Sequence, residues 1–225
     1  MLNKKLSLLK TSKMKKFDTD SIATMSKIPR LNLINSVTGY KSANLIGTCS
    51  KEGTLNVAVF SSITHLGSNP PMLGFMVRPV VSNPRDTYKN ITETHYFTVN
   101  HITSGMIESA HHTSANYDSG ISEFDKTDLK EEFLEEITVP FVKNSPVRLL
   151  CKYLNEYKIE ENGCIHIIAS IEKIFVEEDL IENDLFVRLD KGNVVTINGV
   201  DGYALPHLIN RFEYAQPNQI SKSKL

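Results

Sequence analysis

The chain has 225 residues, 40% of them hydrophobic and 23% charged, with a formal net charge of −1. A protein of this size and composition buries roughly 70% of its unfolded surface in one substantial domain and needs neither a disulfide nor a metal staple. Near-zero charge gives no general attraction to nucleic acid or membrane surfaces, and no apolar run approaches the ~20 residues of a membrane helix.

Met1 to Lys16 is rich in lysine, and Leu6 to Leu9 is too short to be the apolar stretch of a secretion signal. Residues 1–30 therefore read as a partly flexible extension, with Met14 an alternative start. Ala43 to Ser50, the turn Lys51-Glu52-Gly53 and Thr54 to Ser62 read as a β-hairpin. In Leu55 to Phe60 apolar residues fall on both parities, as in a strand covered on both faces. Met72 to Val77 is a short apolar strand stopped by Pro79 and the turn Ser82-Asn83-Pro84. Pro84 suits a first helical turn and predicts a helix to about Glu93. Tyr96 to Asn100 is a strand, and Thr103 or Ser104 caps a second helix from Gly105 to His112, before a loop at Thr113 to Gly120.

Val147 to Ile159 and Cys164 to Glu177 are long strands joined through Asn162-Gly163, a strong hairpin signal. On the first of them Tyr153 and Tyr157 stand at even spacing, which predicts one shared face for core or dimer packing. Short strands and Gly-containing turns follow Asp179, and residues 216–225 read as a polar, flexible tail. Strands dominate, so the fold class is mainly β with short helices, a β-barrel over residues 31–215 rather than a doubly wound α/β domain.

The densest chemistry lies between Asn56 and Pro79. Ser61-Ser62-x-Thr64 places hydroxyls and backbone N–H groups at a sheet edge, where they suit a phosphate or the rim of a flat heteroaromatic ring. Arg78 offers a bidentate fork for phosphate oxygens. The helix start at Pro84-Arg85-Asp86-Thr87 favours an anion through its free N–H groups and dipole. The same residue types also occur as plain turn residues and surface ion-pair partners, and spacing does not separate these readings.

The ordered set of motifs does. Asn56 to Pro71, with its Ser-Ser-x-Thr and Asn-Pro-Pro, resembles the FMN signature of the flavin reductase-like family. So do Arg78-Pro79, Arg85-Asp86-Thr87-Tyr88-x-Asn90-Ile91, Phe97-Thr98-Val99-Asn100-His101, Ala110-His111-His112-Thr113-Ser114-Ala115 and Ser122-Glu123-Phe124-Asp125 with Leu129. The likeness spans residues 40–178. It implies a six-stranded, FMN-binding split β-barrel of Greek-key type that forms a homodimer with the flavin near the interface. By position, Phe60, Ser61, Ser62 and Thr64 would line the ring and ribityl chain, and Arg78, Arg85 and Thr87 would hold the phosphate. Asn100 and His101 would close the site, with His111 and Ser114 at its rim.

The resemblance implies an FMN-dependent oxidoreductase, a flavin reductase or a flavoredoxin-like electron carrier. NADH or NADPH would be the electron donor and a small molecule or a protein the redox partner. Flavin chemistry of this kind is mostly positioning, so no residue is assigned as catalytic. Many NADH-using relatives carry Gly-Asp-His before the second long strand, whereas here the stretch is Asn162-Gly163-Cys164-Ile165-His166, which points to the flavoredoxin-like branch. A noncatalytic flavin-binding module on the same barrel is the alternative, ahead of a pyridoxamine-phosphate-oxidase-like enzyme, whose substrate-phosphate pattern is not seen.

No metal site is expected. His111 and His112 are adjacent and diverge by about 100° on a helix, and the other histidines lack ligand spacing. No G-x-S-x-G elbow supports a hydrolase. Cys49, Cys151 and Cys164 stand singly and read as buried strand thiols of a cytoplasmic protein.

Overall fold

The computed structural model describes residues 14–79 and 85–224; the expected turn at Ser82-Asn83-Pro84 and the proline helix start lie outside them. The segment read as an N-terminal extension carries two helices, α1 (Thr19–Ala23) and α2 (Lys27–Val37). Helix α1 starts on a reciprocal capping box. Ser21 N–H donates to Asp18 Oδ1 at 3.1 Å and Asp18 N–H donates to Ser21 Oγ at 2.9 Å. Helix α2 escaped the periodicity reading because its apolar residues form no single stripe: Ile28, Ile34 and Val37 are all exposed.

Among the described residues twelve strands follow in chain order: β1 (Lys41–Ser42), β2 (Asn44–Cys49), β3 (Leu55–Phe60), β4 (Thr64–Ser68), β5 (Pro71–Val77), β6 (Tyr96–His101), β7 (Glu131–Glu132), β8 (Phe141–Val142), β9 (Val147–Lys158), β10 (Ile165–Val176), β11 (Thr196–Asn198) and β12 (Gly202–Ala204). Helix α3 (Asp86–Thr94) precedes β6, and α4 (Ile107–His112) follows it after a 3₁₀ turn at Ser104–Met106. The two helices and the main hairpins stand within a residue or two of the positions expected. The principal sheet has the order β3-β2-β6-β9-β10-β5-β4 and is antiparallel throughout. It thus has seven strands rather than six. Strand β4 is the addition, mostly exposed, with no alternation of apolar residues to announce it.

The sheet closes on itself through aromatic contacts. Phe60, at the end of edge strand β3, meets Phe75 on β5 edge-on, with centroids 5.2 Å apart, and Phe75 meets Phe97 on β6 at 5.5 Å. Ser62 reinforces the closure: Met76 N–H donates to its Oγ at 3.0 Å. Inside lies a core of Ile46, Phe75, Ile91, Phe97, Val99, Cys151 and Ile167, among others, with α3 packed in through Ile91.

Leu45, Val57, Ala110, Phe124 and Val195 belong to a second core on the other face of β2 and β3. Strand β3 is thus covered on both faces, as the double parity of Leu55 to Phe60 predicts. Gly47 is required where the layers meet, since a Cβ there would stand 2.3 Å from Pro140 O and 2.6 Å from Thr98 Oγ1. The free edge of β3 is closed by a side chain, the Glu123 carboxylate accepting from Val57 N–H at 3.1 Å. Burial raises the Glu123 pKa, against the opposing pull of its hydrogen bonds.

Tyr153 and Tyr157 part company. The ladder pairs Asn155 with Ile168 but Tyr153 with Ala169, so Leu154 is an extra residue on β9. That bulge resets the alternation: Tyr153 packs on the barrel core, while Tyr157 is 60% exposed. The C-terminal segment read as a flexible tail folds back on itself. Phe212 bridges Ser223, and Arg211 and Lys224 both pair with Asp184. No helix among the described residues is long and apolar enough to cross a membrane.

Candidate functional site

Residues directly opposite one another in an antiparallel ladder project from the same face. Asn44 on β2 pairs with Phe60 on β3 and with His101 on β6, so these three side chains form one row across three strands. Ile46 and Val99, two residues further along, belong to the barrel core, which places the row on the barrel's inner face, at its mouth. The segment leaving β3 is tied down beside this row. Ser42 Oγ donates to Ile63 O at 3.2 Å, and Asn44 Nδ2 donates to Ser42 Oγ at 2.9 Å. Ser61 and Ser62 are half-buried, and Thr64 is exposed at the start of β4.

His101 carries no charge at neutral pH, because burial pushes its pKa down to about 4 from an ordinary 6.5. Its imidazole therefore offers one donor and one acceptor to the mouth. A depressed histidine pKa means that the unfolded chain takes up the proton first, so stability is full above about pH 6.5 and falls as the pH drops toward 4. The shift corresponds to about 3 kcal/mol. Denaturant unfolding followed across that interval checks this, and His101→Gln removes most of the slope.

The second group lies at the start of α3. Arg85 is the N-cap residue, and its side-chain Nε is buried with no hydrogen-bond partner among the described residues. Thr87 is buried, and its hydroxyl accepts from Asn56 Nδ2 at 3.0 Å. Asn56 also reaches Thr48 Oγ1, as does Asn90 Nδ2 at 3.0 Å, which anchors the helix on β2 and β3. Arg78 is exposed and pairs with no described residue. Asn56 and Phe60 share a face of β3 about 13 Å apart, so one edge strand connects the cationic helix start to the aromatic mouth.

Three expected residues lie elsewhere within one chain. Asn100 is fully buried and fully engaged: its Nδ2 donates to Leu45 O and Thr98 Oγ1, and its Oδ1 accepts from Val142 N–H at 2.9 Å. It braces β6 against β2 and β8, with both amide hydrogens and one lone pair of Oδ1 engaged. His111 and Ser114 sit at the end of α4, whose Ala110, Met106 and Ile107 pack on the second core, across the sheet from the mouth. His111 Nδ1 lies 3.3 Å from Tyr203 Oη and His112 Nε2 lies 2.7 Å from Tyr117 Oη, so the neighbouring rings serve separate tyrosines. Asn44 was missed. It sits in an apolar strand and belongs to no motif, and only the ladder brings it between Phe60 and His101.

An unsatisfied buried polar atom costs about 1–3 kcal/mol, and native proteins hold few of them. Two of those here, Arg85 Nε and Asn44 Oδ1, mark the ends of this edge. A site with an unpartnered cation at a helix start and aromatic and amide groups at a barrel mouth fits an elongated ligand with an anionic end and a polar ring. The fold defines a closed, mainly antiparallel β-barrel, with these groups gathered along one of its edges.

Residues 37–192 match the flavin reductase like domain, and the chain belongs to that family of flavin-related oxidoreductases. It resembles a solved protein from Shewanella frigidimarina NCIMB 400, provisionally named a flavin reductase with a split barrel domain. The two are 37% identical, with a TM-score of 0.86 over 90% of this chain and 100% of that one. An uncharacterized protein of Aquifex aeolicus (strain VF5) is 30% identical over 148 residues, 65% of this chain and 74% of the relative. The flavoredoxin of Desulfovibrio vulgaris (Miyazaki F) shares the fold at 19% identity, with a TM-score of 0.63 over 80% of this chain and 91% of that one.

Proposed function

We propose that the protein is an oxidoreductase that holds FMN noncovalently and passes electrons through it. The observation that carries this reading is the buried Nε of Arg85 at the start of α3, which has no hydrogen-bond partner among the described residues. A phosphate monoester there would satisfy the guanidinium and face the N–H groups of the first helical turn, which have no intrahelical partners. Thr87, whose oxygen already accepts from Asn56, retains its proton to donate. Arg78 is a solvated outer contact. Ser61, Thr64 and the backbone of Ser62, whose hydroxyl is held by Met76, would serve the ribityl chain and ring rim, and Phe60 and neutral His101 the ring. Bound FMN would supply the hydride and single-electron chemistry, and the protein's part is to bind, orient and keep water away.

A homodimer would give His111 and Ser114 a place at a flavin. Lying across the sheet from the mouth of their own chain, they would approach the flavin of the partner protomer. The donor is NADH or NADPH in a flavin reductase and a redox protein in a flavoredoxin-like carrier. One observation favours the carrier. The tip of the β9–β10 hairpin stands against Pro79, where a Cβ on Gly163 would lie 3.5 Å from the proline ring, and it offers Cys164 where NADH-using relatives have Asp-His. His166 lies further along β10, its Nε2 over Gly74.

Anaerobic mixing of the FMN-loaded protein with NADH and NADPH tests the assignment. Bleaching of the flavin within seconds identifies a reductase and its donor. Bleaching by dithionite alone identifies the carrier. Protein that takes up no FMN is neither.

A further inference from the structure

We propose that Asn44 reads the imide edge of the flavin ring, its Oδ1 accepting the ring N3–H. The proposal rests on the FMN reading above and adds a ligand-positioning residue that no motif contains. Asn44 is 1% exposed. Its amide orientation follows from its neighbours. Ile63 O can only accept, so the single Ser42 proton is committed to it at 3.2 Å, and the Asn44 atom 2.9 Å from Ser42 Oγ must be a donor, Nδ2. That leaves Oδ1 as the buried amide atom without a partner among the described residues.

Chemistry narrows what can satisfy it. Oδ1 is an acceptor, so the missing partner is a donor. The flanking residues in the ladder are Phe60, an aromatic ring, and His101, which burial keeps uncharged. Nothing in this row favours a cationic donor. A flat ring bearing a neutral N–H fits, and the pyrimidine half of an isoalloxazine has one such group, between two carbonyls. Asn44 also tethers, through Ser42, the Ser61 to Thr64 segment that would line the same ring. One side chain thereby sets both the ring's register and the segment beside it.

The test pairs a change in the protein with a change in the ligand. FMN and 3-methyl-FMN are titrated by flavin fluorescence into the wild-type protein, Asn44→Ala, Asn44→Ser and Ser42→Ala, each checked for a wild-type-like melting transition. The wild type is expected to prefer FMN by about tenfold or more, the size of one lost buried hydrogen bond. Asn44→Ala and Asn44→Ser are expected to bind the two ligands within about twofold of each other. Ser42→Ala, which keeps Oδ1, is expected to retain the preference. An unchanged preference in folded Asn44→Ala, or no preference in the wild type, overturns the assignment while leaving FMN binding in place. Uptake of neither flavin by the wild type overturns the FMN reading itself, and this proposal with it.

Discussion

Replacing Phe75 by alanine is expected to destabilise the protein by about 3–5 kcal/mol, the usual cost of removing a fully buried aromatic ring. Phe75 has no exposed surface and is the middle member of the Phe60–Phe75–Phe97 chain that links β3, β5 and β6. These strands are far apart in sheet order, so the ring bridges the curled sheet rather than packing between ladder neighbours. At this chain length the loss corresponds to a fall in melting temperature of roughly 6–20 °C. Flavin affinity should fall with it, because Phe60 would lose the surface that positions it at the mouth. Phe75→Leu, which keeps most of the volume, should cost less than half as much. Urea unfolding of the two variants checks both values, and a loss below about 1 kcal/mol for Phe75→Ala would show that the barrel closes by other contacts.

Removing the Arg85 side chain is expected to act in the opposite way on stability and on binding. Its buried Nε has no partner among the described residues, so Arg85→Ala should leave the stability of the flavin-free protein unchanged or slightly raised. FMN affinity should fall by about 1.5–3 kcal/mol, the range for a hydrogen bond to a charged group, or about 10- to 150-fold. Arg85→Lys should recover part of this, since lysine restores the charge without the fork. Arg78→Ala should cost less and lose its effect as salt is raised, because Arg78 is exposed. Equilibrium dialysis with FMN at two salt concentrations separates the two arginines. If Arg85→Ala unfolds more easily and binds FMN normally, the residue is structural.

The parts of the fold that were legible share a physical cause. Hairpins β2–β3 and β9–β10 announce themselves by apolar runs broken at Gly53 and Asn162-Gly163, and both glycines adopt the left-handed backbone that such turns demand. Helices α3 and α4 follow from local start signals. Strand β4 and helix α2 did not show, because neither displays a periodic apolar face. The site divides in the same way. Ser61, Ser62, Thr64 and Arg85 sit in continuous motifs, whereas Asn44 acquires its place from the ladder. Asn100 stands in a motif, and its amide is engaged by Leu45, Thr98 and Val142, partners that only the fold supplies.

By itself the sequence determined the class, a mainly β chain of the flavin reductase-like family, because local turn chemistry, strand composition and ordered motifs are properties of neighbouring residues. Only the tertiary structure decided which of the marked polar groups remain available. Satisfaction of a buried hydrogen-bonding group depends on partners distant in the chain. That is why Asn100 is occupied in holding the sheet together, and why the proposed site rests on Arg85 Nε and on Asn44 Oδ1, which have no hydrogen-bond partner among the described residues.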